Sequence, residues 1–213
     1  MAARASGLKP RRLGLAAALL AAFLALGGAV DRWGPWAWDR GVQFGAPWLE
    51  AWRAITALGS FTSYVLLALA LLTVGIAVPR VRRESVVTVA GLVLLWGIGD
   101  AMKLLFHRAR PPGWHGTFET SFSYPSGHAE LSLFFYGAIA LWMVWPWARG
   151  AARIAGVTAC AAVALAIAVS RVALGVHYLT DVLGGWLIAA AWLTAAGAFA
   201  RSRSAAERGA SRT

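Results

Sequence analysis

Three short stretches of the chain carry residue types that together can handle a phosphate group: Lys103 to Pro111, Tyr124 to His128, and Ser170 to Asp181. The middle one, Tyr124-Pro125-Ser126-Gly127-His128, ends a polar loop just before the apolar run Ala129 to Trp147. A proline inside the first helical turn, a serine able to cap and a glycine allowing close backbone approach describe a helix N-terminus open at its end. Free N–H groups and the positive end of the helix dipole suit an anion there, with His128 beside it as a proton donor. Pro-Ser-Gly is also an ordinary turn before a capped helix, so this stretch alone decides nothing. Lys103 and Arg110 can face one point if their helix continues to Pro111, bringing a point charge and a planar fork of donors to the same oxygens. His177 and Asp181 have helical i, i+4 spacing, at which a carboxylate can hold the imidazole N–H and leave the other ring nitrogen free to attack. A packed interfacial His–Asp pair is the competing reading of that spacing.

The elements that must position these residues are membrane helices. Hydrophobic residues make up 59% of 213 positions and charged residues 14%, and mean hydropathy is +0.62, far from a soluble domain. The formal charge of +11 sits in short basic clusters between apolar runs, which fits membrane orientation and not a nucleic-acid partner. Cys160 is the only cysteine and lies in an apolar run, which excludes a disulfide framework and a cysteine-based metal site. The pattern predicts an all-α fold: a single membrane domain over 1–213 with six transmembrane helices at approximately 13–30, 59–78, 86–106, 129–147, 154–170 and 178–200. The first apolar stretch resembles a signal core but has spanning length, and a retained helix is expected. Asp31 to Arg53, rich in tryptophan, is expected along the external surface, with Trp48, Trp52 and Ile55 marking an interfacial helix after Pro47. Lysines and arginines at the two termini, at Arg80, Arg82 and Arg83, and at Arg149 and Arg153 outnumber those on the opposite side. Both termini are therefore expected in the cytoplasm of a bacterial-type inner membrane, with all three polar stretches at the external face.

The three stretches resemble the signature of the type 2 phosphatidic acid phosphatases, a family with relatives among lipid phosphatases and vanadium haloperoxidases. That signature is a lysine separated by six residues from Arg-Pro, then Pro-Ser-Gly-His, then Ser-Arg with five residues before His and three before Asp. Lys103 to Pro111, Pro125 to His128 and Ser170 to Asp181 meet it without substitution. The resemblance implies that Lys103, Arg110 and Arg171 hold the non-bridging phosphate oxygens, joined by Ser126, the Gly127 N–H and His128. It implies that His177 attacks phosphorus, forming a phosphohistidine, and that Asp181 orients it. His128 would protonate the leaving oxygen and then activate water. The implied substrate is a phosphorylated lipid, undecaprenyl diphosphate or a glycerophospholipid phosphate. The implied chemistry needs neither cofactor nor metal.

Other charged residues have weaker readings. Asp100 can pair with Lys103 or Arg171; Glu130 suits the dipole of its helix or can touch substrate; His107 and Arg108 can meet a headgroup or stay at the surface. Trp114 and His115 can line the entrance or merely sit at the interface. A phosphotransferase using the same intermediate, and a silent scaffold or transporter on this fold, are the competing functions. A silent protein has no need of both histidines, Asp181 and all three cations.

Overall fold

The computed structural model describes residues 10–40, 46–112 and 120–201; Trp114 and His115 lie outside them. Among the described residues the chain is helical, with no strand. The helices are α1 (Pro10–Trp33), α2 (Ala46–Ala57), α3 (Phe61–Ala77), α4 (Arg82–Phe106), α5 (Gly127–Ala138), α6 (Trp145–Trp147), α7 (Gly150–Ala173) and α8 (Leu179–Arg201). A π-helical turn, Ile139–Val144, joins α5 to α6. It widens the helix just before Pro146, whose missing N–H cannot continue an α-helical ladder.

Five helical stretches are long and apolar enough to cross a membrane: α1, Pro79–Phe106, Gly127–Trp147, α7, and α8 over Leu179–Gly197. Between α1 and α4 the chain forms a bent pair, Trp48–Ala57 and Phe61–Ala77, angled by 44°, which together qualify as a sixth. The bend has a local cause. Ser60 caps α3 by accepting from the Ser63 N–H at 3.2 Å, while the Ser63 hydroxyl donates to the Ala57 carbonyl at 2.7 Å, so the end of α2 is stitched to the start of α3. The protein is an all-α polytopic membrane protein. The helix expected after Pro47 is present as α2, packed against α7.

Four helix ends meet on one side of the bundle: the C-termini of α4 and α7 and the N-termini of α5 and α8. α5 packs against both α7 and α8, and α1 lies along α8. α5 and α8 approach closely because Gly185 faces the first turn of α5, where a Cβ would lie 2.7 Å from the Ser126 carbonyl oxygen. An aromatic cluster fixes the loop that enters α5. Phe23 stacks on Tyr124 at 5.5 Å, Phe106 meets Tyr124 edge-on at 5.1 Å, and the buried Tyr124 hydroxyl donates to the Phe23 carbonyl at 2.8 Å. Each ring contact contributes roughly 0.5–1.5 kcal/mol beyond burial. At the opposite end Arg80 lies over Trp147 and Arg153 over Trp145, cations held on rings that favour the headgroup level.

Two local expectations are corrected. Pro125 is not in the first turn of α5; the helix starts at Gly127 with Ser126 as its N-cap, and Pro125 precedes the cap. Lys103 and Arg110 do not share a helix, because α4 ends at Phe106 and His107 turns left-handed at φ 47°. The segment after His107 therefore leaves the helix axis and brings Arg110 to the site from the side.

Candidate active site

His177 sits at the bottom of the site, 2% exposed, on the tight turn that ends α7. The Val176 and His177 N–H groups both donate to the Arg171 carbonyl, at 3.1 and 3.2 Å, and Gly175 supplies the left-handed residue at φ 68° that lets the chain reverse. This turn puts Arg171 and His177 side by side.

The protonation of His177 follows from its neighbours. Nε2 lies 3.1 Å from Arg110 Nη1, and a guanidinium only donates, so Nε2 carries the lone pair. The proton is then on Nδ1, which faces Asp181 Oδ2 at 3.3 Å and the Ser123 hydroxyl at 3.4 Å. Burial, opposed by the hydrogen bond to Asp181 and reinforced by Arg110, lowers the imidazole to about 4. His177 is a neutral imidazole whose Nε2 lone pair faces Arg110 on the cation-lined side of the site. It lies just before α8, not within it, so its proximity to Asp181 comes from the entry turn, where the Asp181 N–H donates to the Tyr178 carbonyl at 3.1 Å.

Asp181 is fully buried and saturated with donors. Its Oδ2 accepts from the Ser123 hydroxyl at 2.5 Å and the Tyr178 N–H at 2.9 Å, and its Oδ1 from Arg108 at 2.5 Å. Its own carbonyl accepts the Ser126 N–H at 3.0 Å, tying the start of α8 to the cap of α5.

The cations come from three elements. Arg110 is clamped by the Ser121 carbonyl at 2.8 Å, the Ser121 hydroxyl at 3.0 Å and the Val176 carbonyl at 3.0 Å. Arg171 is 3% exposed and donates to the Thr56 hydroxyl of α2 at 2.7 Å. Lys103 pairs with Asp100 at 2.9 Å, the structural alternative among the readings of Asp100. Its ammonium stands 3.7 Å from where a Cβ on Gly127 would be, so it faces the α5 N-terminus. The Ser126 side chain does not cap α5, and its Oγ is buried without a partner among the described residues, a polar atom already desolvated for a ligand. His128 lies on the first turn of α5, against Gly59 and within electrostatic reach of Arg171, His177, Lys103 and Arg110.

Lys103, Gly127 and His128 form the polar end of a cavity of about 380 Å³. Its remaining wall is largely apolar, including Val65, Leu92, Val93, Trp96 and Leu131. Leu92 and Lys103 are on one helix, so the cavity runs about 16 Å from the charged end at 1.5 Å per residue. Among the described residues no group of three His, Cys, Asp or Glu side chains is placed to hold a metal ion.

Several residues depart from their sequence reading. Arg108 does not reach a headgroup; it is 6% exposed and bridges Asp181 and Asp39. Asp39, in the segment expected along the surface, is fully buried. Glu130 is also buried, with its carboxyl against Gly99 and Oε1 without a partner among the described residues. His107 is exposed and stands edge-on to Phe122. Asp39, Arg108, Ser123, Thr180 and Thr56 were not assigned to the site from sequence. Ser123 and Thr180 adjoin motif residues, but a hydroxyl beside a motif is too common to be a signal.

A bundle of membrane-spanning helices with a cation-ringed, buried His–Asp pair at one end defines an integral membrane phosphatase. The chain belongs to the PAP2 superfamily, whose family model matches residues 83–204. It is 31% identical over 147 residues to phosphatidylglycerophosphatase B of Bacillus subtilis, covering 66% of this chain and 70% of that one. It is 29% identical over 124 residues to an undecaprenyl-diphosphatase of Sulfolobus acidocaldarius, covering 54% of each. The fold is similar to the crystal structure of a transmembrane PAP2-type phosphatidylglycerolphosphate phosphatase from Bacillus subtilis, with a TM-score of 0.73 over 86% of this chain and 94% of that one at 24% identity.

Proposed function

We propose that the protein hydrolyses the terminal phosphate of a lipid phosphate, undecaprenyl diphosphate or a glycerophospholipid phosphate, through a phosphohistidine. The observation that carries this reading is the His177 lone pair beside Arg110, with Nδ1 turned to Asp181. His177 Nε2 attacks phosphorus and the bond to the leaving oxygen breaks, while His128 gives that oxygen a proton. Water then attacks phosphorus, His128 takes its proton, and the N–P bond breaks to release phosphate. Lys103, Arg110 and Arg171 neutralise the equatorial oxygens, with Ser126 and the Gly127 N–H completing the ring of donors. The apolar wall of the cavity supports a lipid substrate, because it leads away from the cations along α4.

The whole chain forms one domain on this reading. The basic residues at the far end of the bundle favour the cytoplasm, which puts both termini there and the site at the external face. The purified protein in detergent is expected to release inorganic phosphate from undecaprenyl diphosphate, phosphatidylglycerophosphate or phosphatidic acid, ranked by kcat/KM within one panel. Activity is expected to be fully retained in excess chelator, because fixed cations and a helix N-terminus supply the positive charge. Activity lost to chelator and restored by magnesium sinks this mechanism. Passage of a labelled phosphate to a second lipid identifies a transferase instead.

The pH dependence has a definite sign. A nucleophilic imidazole works when neutral, and His177 protonates only at about 4. After correction for substrate ionisation, kcat/KM is expected not to fall as pH drops through 6.5, and to decline near 4. An enzyme-borne loss of kcat/KM as pH falls through 6.5 would show a solvated His177 and contradict the site.

A further inference from the structure

Behind His177, the carboxylate of Asp181 is held by a buried cation, and that cation is held by a second buried carboxylate. Arg108 sends Nη1 to Asp181 Oδ1 at 2.5 Å and Nη2 to Asp39 Oδ2 at 2.6 Å. Its side chain is 5% exposed and both carboxylates are 0% exposed. Thr180 closes the network: its N–H and hydroxyl donate to Asp39 Oδ1 at 2.7 and 2.8 Å, and its hydroxyl oxygen accepts from Arg108 at 2.6 Å. The Tyr178 ring covers the guanidinium at 4.2 Å. Asp39 comes from the short turn after α1, outside the residues that the family model matches.

A lone arginine at this place would work against catalysis. Its full charge, desolvated and in contact with Asp181, would compete with the Nδ1–H of His177 for the same carboxylate. Asp39 divides that charge. The alternating chain Asp39, Arg108, Asp181, His177 leaves Asp181 with negative charge to direct at the imidazolium that forms during attack.

We infer that Asp39, acting through Arg108 and Thr180, is a positioning residue for the nucleophile, setting how strongly Asp181 supports His177. This deepens the reading of His177 as nucleophile and rests on it. None of Asp39, Arg108 or Thr180 is among the groups assigned to hold phosphate, so the effect falls on chemistry and spares binding. Asp39→Asn keeps the shape and loses the charge. It is expected to lower kcat about ten- to a hundredfold, the range found when outer-shell partners of metal-ligating histidines are removed. KM and product inhibition by inorganic phosphate are expected to stay within about twofold.

A buried ion pair that merely tethers the turn to α8 predicts something else: lower thermal stability, with kcat per folded molecule unchanged. The test is steady-state kinetics, together with the rate of phosphoenzyme formation in rapid quench, on the full chain in detergent. Where Asp39→Asn does not fold, Thr180→Val decides, with an expected fall in kcat of about fivefold for one hydroxyl removed from the network. Unchanged kcat in the folded variant that decides, or a raised KM with kcat intact, overturns the inference. Wild-type protein and His177→Ala run alongside report separately on the nucleophile, so a failure of that reading is recognised on its own.

Discussion

His177→Ala is expected to remove phosphate release almost completely, lowering kcat by on the order of 10⁴-fold or more, the scale at which loss of a nucleophile leaves only binding and electrostatic catalysis. The side chain is buried and of moderate size, so the variant folds at a cost of about 2–4 kcal/mol from the cavity and the lost hydrogen bond. Its phosphate-binding groups remain, so unreacted substrate is still expected to bind. Acid-labile phosphate on the protein, detectable in quenched wild-type turnover, is expected to be absent. If His177→Ala kept normal release from every lipid the wild type hydrolyses, the attacking atom would lie elsewhere.

Asp181→Asn is expected to lower kcat by about 10³–10⁴-fold, and for a different reason. The amide can turn its oxygen toward Arg108 and its NH2 toward Nδ1, losing the bond from the Tyr178 N–H; this favours the tautomer with the proton on Nε2 and so removes the attacking lone pair. Arg108 keeps Asp39 as partner, so the buried guanidinium is not left without a carboxylate, and the stability loss stays at about 1–3 kcal/mol. A large fall in kcat with preserved folding separates the tautomer from the fold. Equal activity in Asp181→Asn and wild type would mean that Asp181 does no more than pack.

The parts of the site that could be read from the chain are those in which local spacing dictates proximity. Ser126, Gly127 and His128 follow one another into the first turn of a helix, and a short turn before α8 suffices to bring His177 to Asp181. Hydropathy located the helices because the bilayer leaves a spanning segment few alternatives. The supporting groups are hidden by distance in sequence. Asp39 meets Arg108 across 69 residues and Thr180 across 141, and neither pairing leaves a periodic trace. Arg108 turns inward because His107 adopts a left-handed conformation that usually calls for glycine or asparagine. A continued α4 would have carried Arg108 and Arg110 elsewhere. Glu130 was legible as a first-turn acid, but its burial against Gly99 depends on how tightly α4 and α5 approach, which composition does not encode.

The bond from the Thr180 N–H to Asp39 also imposes an order on biosynthesis. Asp39 is translated long before Thr180, and at 5–20 residues per second the interval is on the order of ten seconds. Throughout it, the early acid lacks the backbone donor and the hydroxyl that hold it in the finished protein. On the proposed mechanism hydrolytic competence therefore waits for α8, and a nascent chain stalled before α8 is expected to release no phosphate.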